Sequence, residues 1–335
     1  MGKKEIKYMK YLDKVFGEAE IQDKVILDLI NCSTLQRLKG IDNAGYFKPW
    51  FKGEGFSRFD HSVGVYILLK IYRTSLEEQV AGLIHDVSHT VFSHCIDYAK
   101  EESDEKEQKF QDDIFDGFVR QSEIPAILQG HGISLDFILD DKNFPLKEKL
   151  LPDLCADRID YSLRTALGCK VIVKKEIDYF LENLVAEEGS WIFKNLEIAK
   201  RFAEFFSFMN REYYSGLSSA VMLKTTGECL KYALSEGYIV ESDLYTTDKN
   251  VLKKIQVKTA TDKTLKLLFD RMNNRFLYKE NSENYDFHIF CKSRVVDPYF
   301  KENGSLKRVS EADVAWRKAV VRESIPREYF IKFQV

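Results

Sequence analysis

The chain of 335 residues is short of three things: cysteine pairs, charge of one sign and long apolar runs. Its six cysteines include no C-x-x-C pair, which argues against a disulfide scaffold and favours a reduced, cytoplasmic protein. The formal net charge of −3 gives no electrostatic reason to expect nucleic acid as the main partner. No apolar run approaches the about 20 residues of a membrane span, and the N-terminus lacks the apolar core of a signal peptide.

What the sequence does have is a dense cluster of histidines. Three of its six histidines lie within Gly82–His94, and His85 is followed directly by Asp86. The apolar residues before this pair drive it toward the interior, where polar groups cost several kcal/mol unless something pairs them. Because imidazole and carboxylate both coordinate divalent cations, the segment predicts a metal site.

Two further segments supply candidate ligands for the same ion. His61 lies at the start of a predicted helix, and Asp157 lies inside another. Taken alone, His61 is better explained by a bond to backbone than as a ligand, and Asp157 is explained by pairing with Arg158 or Arg164. Together with His85–Asp86 they make two imidazoles and two carboxylates, with positions left open for water and substrate. Such ligands suit one divalent transition metal ion (Mn, Fe, Co, Ni or Zn) and would also accept Mg.

The spacing of apolar residues predicts a mainly α fold. Helix follows helix through the first half, including buried helices at His61–Tyr72 and Leu76–Asp86. A long amphipathic helix is predicted at Ile192–Tyr214, and beyond Asn281 apolar and polar residues alternate as in strands. The units we expect are a helical core at 1–170, a helical extension at 171–280 and a smaller mixed α/β unit at 281–335.

Three motifs together resemble one known family. They are Arg58-Phe59-Asp60-His61-Ser62-Val63-Gly64-Val65, Leu83-Ile84-His85-Asp86-Val87-Ser88-His89-Thr90-Val91-Phe92-Ser93-His94 and Ala156-Asp157-Arg158-Ile159-Asp160-Tyr161. With these motifs the chain resembles the HD superfamily of metal-dependent phosphohydrolases, which have an HD-domain helical body. It most resembles the branch that includes deoxynucleoside triphosphate (dNTP) triphosphohydrolases. The segments Leu35–Ile41 and Asn195–Leu244 are similar to that branch too, so the resemblance covers most of the chain.

The resemblance implies a role for each matching residue. The positions that would bind the metal are His61, His85, Asp86 and Asp157. The positions that would be catalytic are His89, His94 and Asp97. The positions that would contact the substrate are Gln36, Arg58, Arg158 and Tyr161. In the family the position of His89 helps to protonate the leaving group, with Asp97 in support; the alternative for His89 and His94 is that they merely orient the ligands.

Two residues depart from the family pattern. Gln111 stands where the triphosphohydrolases usually carry the histidine of a His-Glu pair, and a neutral amide cannot shuttle a proton as imidazole does. Thr165 stands where members that hold a deoxyribose often place an aspartate. Both changes weaken the expectation of a dNTP substrate and leave the metal ligands intact. Of the remaining histidines, we expect His131 in a surface loop and His288 in a strand with a structural role.

We therefore expect a metal-dependent phosphohydrolase that acts on a nucleotide, in which metal-activated water attacks phosphorus. One alternative is an HD-fold nucleotide-binding regulatory protein with weak or no catalysis, for which Gln111 is the best support. Another is an HD phosphodiesterase or phosphatase for a different nucleotide. A purely structural helical scaffold fits poorly with four complete ligand positions. The resemblance also implies a homo-oligomer, and no feature of the sequence indicates a membrane partner.

Overall fold

A computed structural model of the chain describes residues 8–100 and 104–334. The expectation that the N-terminus lacks a signal peptide concerns residues 1–7 among others, and these lie outside the described residues. None of the described helices is both long enough and apolar enough to span a membrane.

Helices form most of the chain up to Gly168. Their bounds are α1 (Lys24–Asn31), α2 (Ser33–Arg37), α3 (Arg58–Ile71), α4 (Leu76–Ile84), α5 (Phe110–Gln121), α6 (Ile124–Gly130), α7 (Leu135–Leu139) and α8 (Ala156–Gly168). The 3-10 turns between them are Leu38–Gly40, Ser93–Tyr98 and Asp141–Asn143. An antiparallel hairpin precedes the helices, formed by β1 (Met9–Asp13) and β2 (Gly17–Ile21).

Helix α3 is the centre of this half. It begins with a capping box, in which Ser57 and Asp60 each accept the other's backbone N–H. Nearly all of its residues are buried, as expected of a helix that is apolar all round. It packs against both α4 and α8, so the three helices that carry the metal-site motifs are neighbours.

The second half combines helices with short strands. The helices are α9 (Lys174–Glu182), α10 (Leu196–Met209), α11 (Leu217–Ser235), α12 (Asp248–Lys258), α13 (Lys263–Met272), α14 (Val309–Ala312) and α15 (Val314–Glu323). A π turn at Asn210–Tyr214 follows α10, and a 3-10 turn at Glu241–Tyr245 precedes α12. The strands are β3 (Leu184–Glu187), β4 (Ser190–Phe193), β5 (Tyr278–Glu280), β6 (Phe287–Cys291), β7 (Tyr299–Glu302), β8 (Ser305–Arg308) and β9 (Arg327–Phe333).

These strands form two small sheets. The first has the order β3-β4-β7-β8, with β4 and β7 parallel, so that Phe193 lies opposite Phe300. The second has the order β5-β9-β6 and is antiparallel, with Ile289 opposite Tyr329. Each sheet therefore joins strands from both sides of residue 280. The division into three units stays a prediction. Its boundary between residues 280 and 281 separates strands that pair in the same sheet, in both sheets.

The helix predicted at Ile192–Tyr214 is wrong at its start. Ile192 and Phe193 belong to β4 and are buried. Helix α10 begins only after Asn195, whose side chain accepts the backbone N–H of Ile198 at 3.1 Å. A short apolar run before a helix suits a buried strand equally well, and only pairing with β3 and β7 decides between them.

The prediction of a mainly α fold with a smaller strand-containing part is confirmed. Among the described residues, two clusters of buried apolar side chains pack against different faces of α3. Val65 and Leu68 face the cluster that includes α8 and α10, whereas Val63 and Tyr66 belong to the cluster built on α1 and α4. Packing on both clusters fixes the start of α3, where His61 lies.

Candidate metal centre

Each candidate ligand lies at the end of a helix. His61 is in the first turn of α3, and Asp157 is in the first turn of α8. His85 is the C-cap residue of α4, and Asp86 is the first residue after it. Because α3 packs against both α4 and α8, the three helix ends come together.

The ligand atoms of these four residues converge. His61 Nε2 lies 2.8 Å from Asp157 Oδ1 and 3.7 Å from Asp86 Oδ2. His85 Nε2 lies 3.3 Å from His61 Nε2. It is also 3.5 Å from an oxygen of each carboxylate. Atoms that coordinate one ion at about 2.0–2.2 Å are roughly 3 Å apart. His61, His85 and Asp86 each offer a ligand atom within 4.8 Å of the other two, which suits a single metal ion, and Asp157 lies against both imidazoles.

The outer nitrogen of each imidazole is already bonded to the protein. His61 Nδ1 donates to Asp160 Oδ2 at 2.6 Å, and His85 Nδ1 donates to the carbonyl oxygen of Gly82 at 2.7 Å. A ring that carries its proton on Nδ1 presents the lone pair of Nε2. Both histidines therefore turn a basic nitrogen toward the same point.

Asp160 is held in turn by a buried ion network. Arg164 donates to its two oxygens at 3.0 and 2.7 Å and contacts Asp13 on β1 at 2.9 Å. A Cβ at position 64 would lie 2.0 Å from the Arg164 guanidinium and 2.1 Å from the Asp160 carboxylate. A side chain at position 64 would therefore displace this network, which fixes the orientation of His61.

The centre of the cluster favours a positive charge. Burial alone would lower the pKa of His61, but its bonds to Asp157 and Asp160 raise that pKa to about 10. Burial also opposes the charged form of Asp157, yet the neighbouring His61 and His85 hold its pKa far below the usual range. A divalent cation supplies the charge that these carboxylates require, so the residues fit a metal with nitrogen and oxygen ligands.

His89 and His94 lie beside the cluster in different surroundings. His89 is buried with Nε2 3.3 Å from Asp86 Oδ1, and burial lowers its pKa to about 3. The His94 side chain is 23% exposed, with Nδ1 3.3 Å from Asp97 Oδ2. Asp97 also accepts the backbone N–H of Phe110 at 3.0 Å. Each ring thus lies beside a carboxylate, and His94 is the more exposed of the two.

The loop between His89 and His94 has a constrained backbone. Phe92 and Ser93 have positive φ angles of 55° and 46°, a backbone conformation that residues other than glycine rarely adopt. Asp248 at the start of α12 accepts the backbone N–H of Phe92 at 2.8 Å. A helix from the second half of the chain therefore sets the position of this loop.

Arg58 lies beside the cluster, and each of its three guanidinium nitrogens donates a hydrogen bond to the protein. Its guanidinium donates to Asp86 at 2.7 Å, to the Ser93 hydroxyl at 2.9 Å and to the carbonyl oxygen of Asn43 at 3.0 Å. Burial would raise the pKa of Asp86, and the charge of Arg58 is the main opposing cause that keeps it low. A contact of Arg58 with the substrate stays a prediction.

Arg158 and Tyr161 project from α8 close to Asp157. Arg158 lies 3.2 Å from Glu148 and also donates to the carbonyl oxygen of Lys149. The centre of the Tyr161 ring is 6.3 Å from that of His61. In the described part of the chain its buried hydroxyl has no hydrogen-bond partner. Such a group costs free energy until a ligand or water satisfies it, which is consistent with the predicted role in substrate binding.

Gln36 is not brought to the cluster. Its amide donates to the carbonyl oxygen of Ile30 at 2.6 Å, at the end of α1. The next residue, Arg37, reaches the metal-site loop instead and donates to the carbonyl oxygens of Val87 and His89 at 2.7 and 2.8 Å. A substrate contact of Gln36 stays a prediction without a described contact in its favour.

The departures from the family pattern lie on α5 and α8. Gln111 is buried, and its side-chain oxygen lacks a partner within the described residues. Burial raises the pKa of the adjacent Asp112 to about 6. The Thr165 hydroxyl donates to the carbonyl oxygen of Tyr161 at 2.7 Å. A titratable carboxyl therefore stands next in sequence to the missing histidine.

The other two histidines lie elsewhere. His131 pairs with Asp28 at 2.7 Å on the surface. His288 on β6 lies 2.6 Å from Glu328 and stacks on Phe330 with ring centres 4.4 Å apart. No described contact joins either ring to the cluster.

Sequence reasoning missed four charged residues around the centre. Asp160 and Arg164 follow Asp157 along one helix face, and the spacings of three and four residues were a usable signal. The sequence offers Arg164 as a partner of Asp157, whereas its ion pairs go to Asp160 and Asp13. Lys292 lies in the C-terminal segment, and so does a second cation, Arg294; no motif marked either one.

Comparison with known proteins identifies the family. The HD domain model matches residues 58–164, which contain all four candidate ligands. The uncharacterized protein YdhJ of Bacillus subtilis is 32% identical over 320 residues, which are 93% of this chain and 97% of that protein. The chain therefore belongs to the HD-domain family of metal-dependent phosphohydrolases, as its motifs predicted.

More distant relatives have functional names. The metal-dependent phosphohydrolase cns2 of Cordyceps militaris is 28% identical over 70% of this chain and 68% of its own length. The deoxynucleoside triphosphate triphosphohydrolase SAMHD1 of Danio rerio is 25% identical over 57% of this chain and 29% of its own length. A solved phosphohydrolase from Bacteroides thetaiotaomicron has a TM-score of 0.72 at 18% identity, covering 98% of this chain and 100% of that one. This last likeness shows the shared fold.

Proposed function

We propose that this protein hydrolyses a phosphate ester of a nucleotide, with His61, His85, Asp86 and Asp157 holding one divalent transition metal ion. The observation that carries the proposal is the pair of imidazole Nε2 atoms 3.3 Å apart, each turned inward by a bond at Nδ1. Two lone pairs at that distance repel unless a proton or cation stands between them. Mn, Fe, Co, Ni and Zn suit this ligand set, and Mg is included among the metals to be tested.

When bound, such an ion lowers the pKa of a coordinated water and polarises a phosphoryl oxygen. The chain's own residues prepare the site for this. Asp160 holds the ring of His61, and Arg58 holds the carboxylate of Asp86. Their burial keeps these bonds out of bulk water, where they would be weaker.

His94 is the side chain we assign to the leaving group. Its ring is partly exposed and braced by Asp97, so it is able to meet a substrate and exchange a proton. His89 is buried against Asp86 and remains uncharged near neutral pH, since its pKa is lowered to about 3 by burial. We assign His89 to orienting Asp86, which is the second of the two roles weighed for it.

A nucleotide is the proposed substrate class because the chain shares similarity with a dNTP triphosphohydrolase over 57% of its length. Arg158 and Tyr161, beside Asp157, offer a cation and an unpartnered hydroxyl for a phosphate. Gln111 and Thr165 differ from the dNTP-specific pattern, so dNTPs form one arm of the test and not the conclusion. The homo-oligomer and the cytoplasmic location stay predictions.

A regulatory protein that binds a nucleotide with little turnover is the second candidate. The observation in its favour is Gln111, a buried amide in the place of a proton-carrying histidine. Such a protein would bind a nucleotide tightly and release no product.

The test is metal analysis of the purified protein followed by hydrolysis assays with Mn, Co, Ni and Mg. The panel contains nucleoside mono-, di- and triphosphates, deoxynucleotides and cyclic nucleotides, and phosphate, pyrophosphate and tripolyphosphate are measured as products. We expect His85→Ala to lose the metal and to reduce activity by about a hundredfold or more, since a bound metal stabilises the transition state by several kcal/mol.

His131→Ala is the matched control, because His131 is a histidine with a surface carboxylate partner away from the cluster. It should keep both the metal and the activity. If His85→Ala retains the metal content of the control, the ligand assignment is wrong. If the metal-loaded protein binds nucleotides and hydrolyses nothing in the panel, the regulatory candidate replaces the enzyme.

A further inference from the structure

The C-terminal segment brings two cations to the edge of the metal centre. We propose that Lys292 and Arg294 form a subsite that binds a second phosphate group of the substrate, next to the phosphate at the metal. This inference rests on the proposed function and narrows its substrate to a compound with at least two phosphates.

The two cations follow β6 with an alternating pattern of burial. Cys291, Ser293 and Val295 are buried, whereas Lys292 and Arg294 between them are half-buried. The buried apolar and hydroxyl side chains thus anchor the segment, and the two cations are the more exposed side chains between them.

This face lies against the segment that leads into α5. Lys292 Nζ donates to the carbonyl oxygen of Glu107 at 2.7 Å, and Arg294 Nη2 donates to the side-chain oxygen of Gln108 at 3.2 Å. Gln108 is bonded in turn by the side chain of Gln111, which donates to its carbonyl oxygen at 3.3 Å. The cations are therefore tied to the element that carries the departure from the family pattern.

Neither cation forms an ion pair with a carboxylate of the described residues. The side-chain partners of Arg294 are an amide oxygen and the carbonyl oxygen of Lys292, at 3.4 Å. By contrast, Arg58, Arg158 and Arg164 around the same centre each have a carboxylate within 3.2 Å. Two neighbouring like charges in a partly dry place are unfavourable alone, and an anion between them removes that cost.

The segment that holds the two cations also contacts the histidine motif: the Ser88 hydroxyl donates to the carbonyl oxygen of Gln111 at 2.9 Å, and Asp97, the partner of His94, accepts the backbone N–H of Phe110 at 3.0 Å. Burial lowers the pKa of His94, Asp97 opposes this shift, and the charges of Arg58 and Arg294 add to it. Burial lowers the pKa of Lys292 to about 8, with further contributions from Arg294 and Arg158. The carboxyl groups that act on Lys292 are Asp112 and Glu107, neither of them within ion-pair distance. The cation pair therefore lies beside the segment that contacts Asp97, the partner of His94.

The test uses inorganic tripolyphosphate and orthophosphate as probes, in calorimetry of the metal-loaded protein with each probe equilibrated beforehand with the same metal, so that chelation in solution makes no contribution. The variants are Lys292→Met and Arg294→Met, with Arg294→Lys as a conservative variant. Lys318→Met is the matched control, because Lys318 is an exposed lysine of the same C-terminal region without a described ion pair. Thermal melting checks that each variant is folded.

We expect each methionine variant to bind tripolyphosphate about tenfold more weakly, the loss of one charge-assisted contact, and orthophosphate almost as the wild type does. Arg294→Lys should recover part of the loss. The proposal is overturned if both methionine variants bind tripolyphosphate as Lys318→Met does. It is equally overturned if the wild type binds tripolyphosphate no better than orthophosphate.

The two proposals fail separately. If tripolyphosphate binding depends on Lys292 and Arg294 while no nucleotide is hydrolysed, the subsite stands and the enzymatic proposal falls. If nucleotides are hydrolysed and the variants leave tripolyphosphate binding unchanged, the enzymatic proposal stands and the subsite falls.

Discussion

Charged side chains surround the metal centre in two regions that are built differently. Behind His61, Asp160 and Arg164 form a buried network with Asp13, in which each charge has an opposite charge within 3.0 Å. On the C-terminal segment, Lys292 and Arg294 have neutral oxygens as partners. We call the first the inner network and the second the C-terminal cation pair.

The two regions differ in whether their charged groups are paired with opposite charges within the protein. Charges of the inner network are satisfied within the protein, so they serve stability and the geometry of the ligands. The charges of the cation pair have no opposite charge as a partner among the described residues, so they are able to bind an anion from solution. Substitutions should therefore separate stability from binding, and the following predictions test that separation.

Arg164→Met should have the largest effect. It leaves the carboxylates of Asp160 and Asp13 buried without a cation, which lowers the free energy of unfolding by about 3–5 kcal/mol. Urea denaturation measures the change. Arg164→Lys, which keeps the charge, should cost less. Equal stability of Arg164→Met and wild type would show that the network is not a structural support.

Asp160→Asn should act mainly on the metal. The amide is a weaker acceptor for His61 Nδ1, so the ring is less basic and less firmly oriented. We expect the metal affinity to fall about 10–100-fold, measured by titration with a competing chelator. Asp178→Asn, at an exposed carboxylate on α9, is the control and should bind metal as the wild type does.

The cation pair should show a dependence on pH. Burial and the neighbouring Arg294 lower the pKa of Lys292 to about 8, so its charge is present below that pH and lost above it. The ratio of tripolyphosphate affinities between wild type and Lys292→Met should therefore fall from about tenfold toward one as the pH rises above about 8. Taking the ratio cancels the titration of the probe itself. A ratio that stays constant or rises with pH would contradict the assignment.

Lys307→Ala should have the smallest effect. Lys307 forms an exposed ion pair with Glu302 at 2.6 Å in the same C-terminal region. Exposed pairs contribute about 1 kcal/mol or less, so denaturation and tripolyphosphate binding should both stay near wild-type values. A large loss of anion binding here would mean that general charge, not the placement of Lys292 and Arg294, attracts the probe.

The candidate metal ligands were predictable because each lies in a short local motif. His61 follows a helix cap, His85 and Asp86 end a buried helix, and Asp157 opens another. The start of α10 was not predictable in the same way. The apolar run before it suits a strand or a helix, and only pairing with distant strands decides.

By itself the sequence determined the family, the mainly α fold and the four candidate ligands, since local spacing and residue type carry that information. The tertiary structure alone decided which charges have partners. Arg164 pairs with Asp160 and Asp13, and Lys292 and Arg294 come beside α5, through contacts between residues far apart in the chain. Such contacts depend on how the helices and sheets pack, because electrostatic interactions follow distance in space and not separation along the chain.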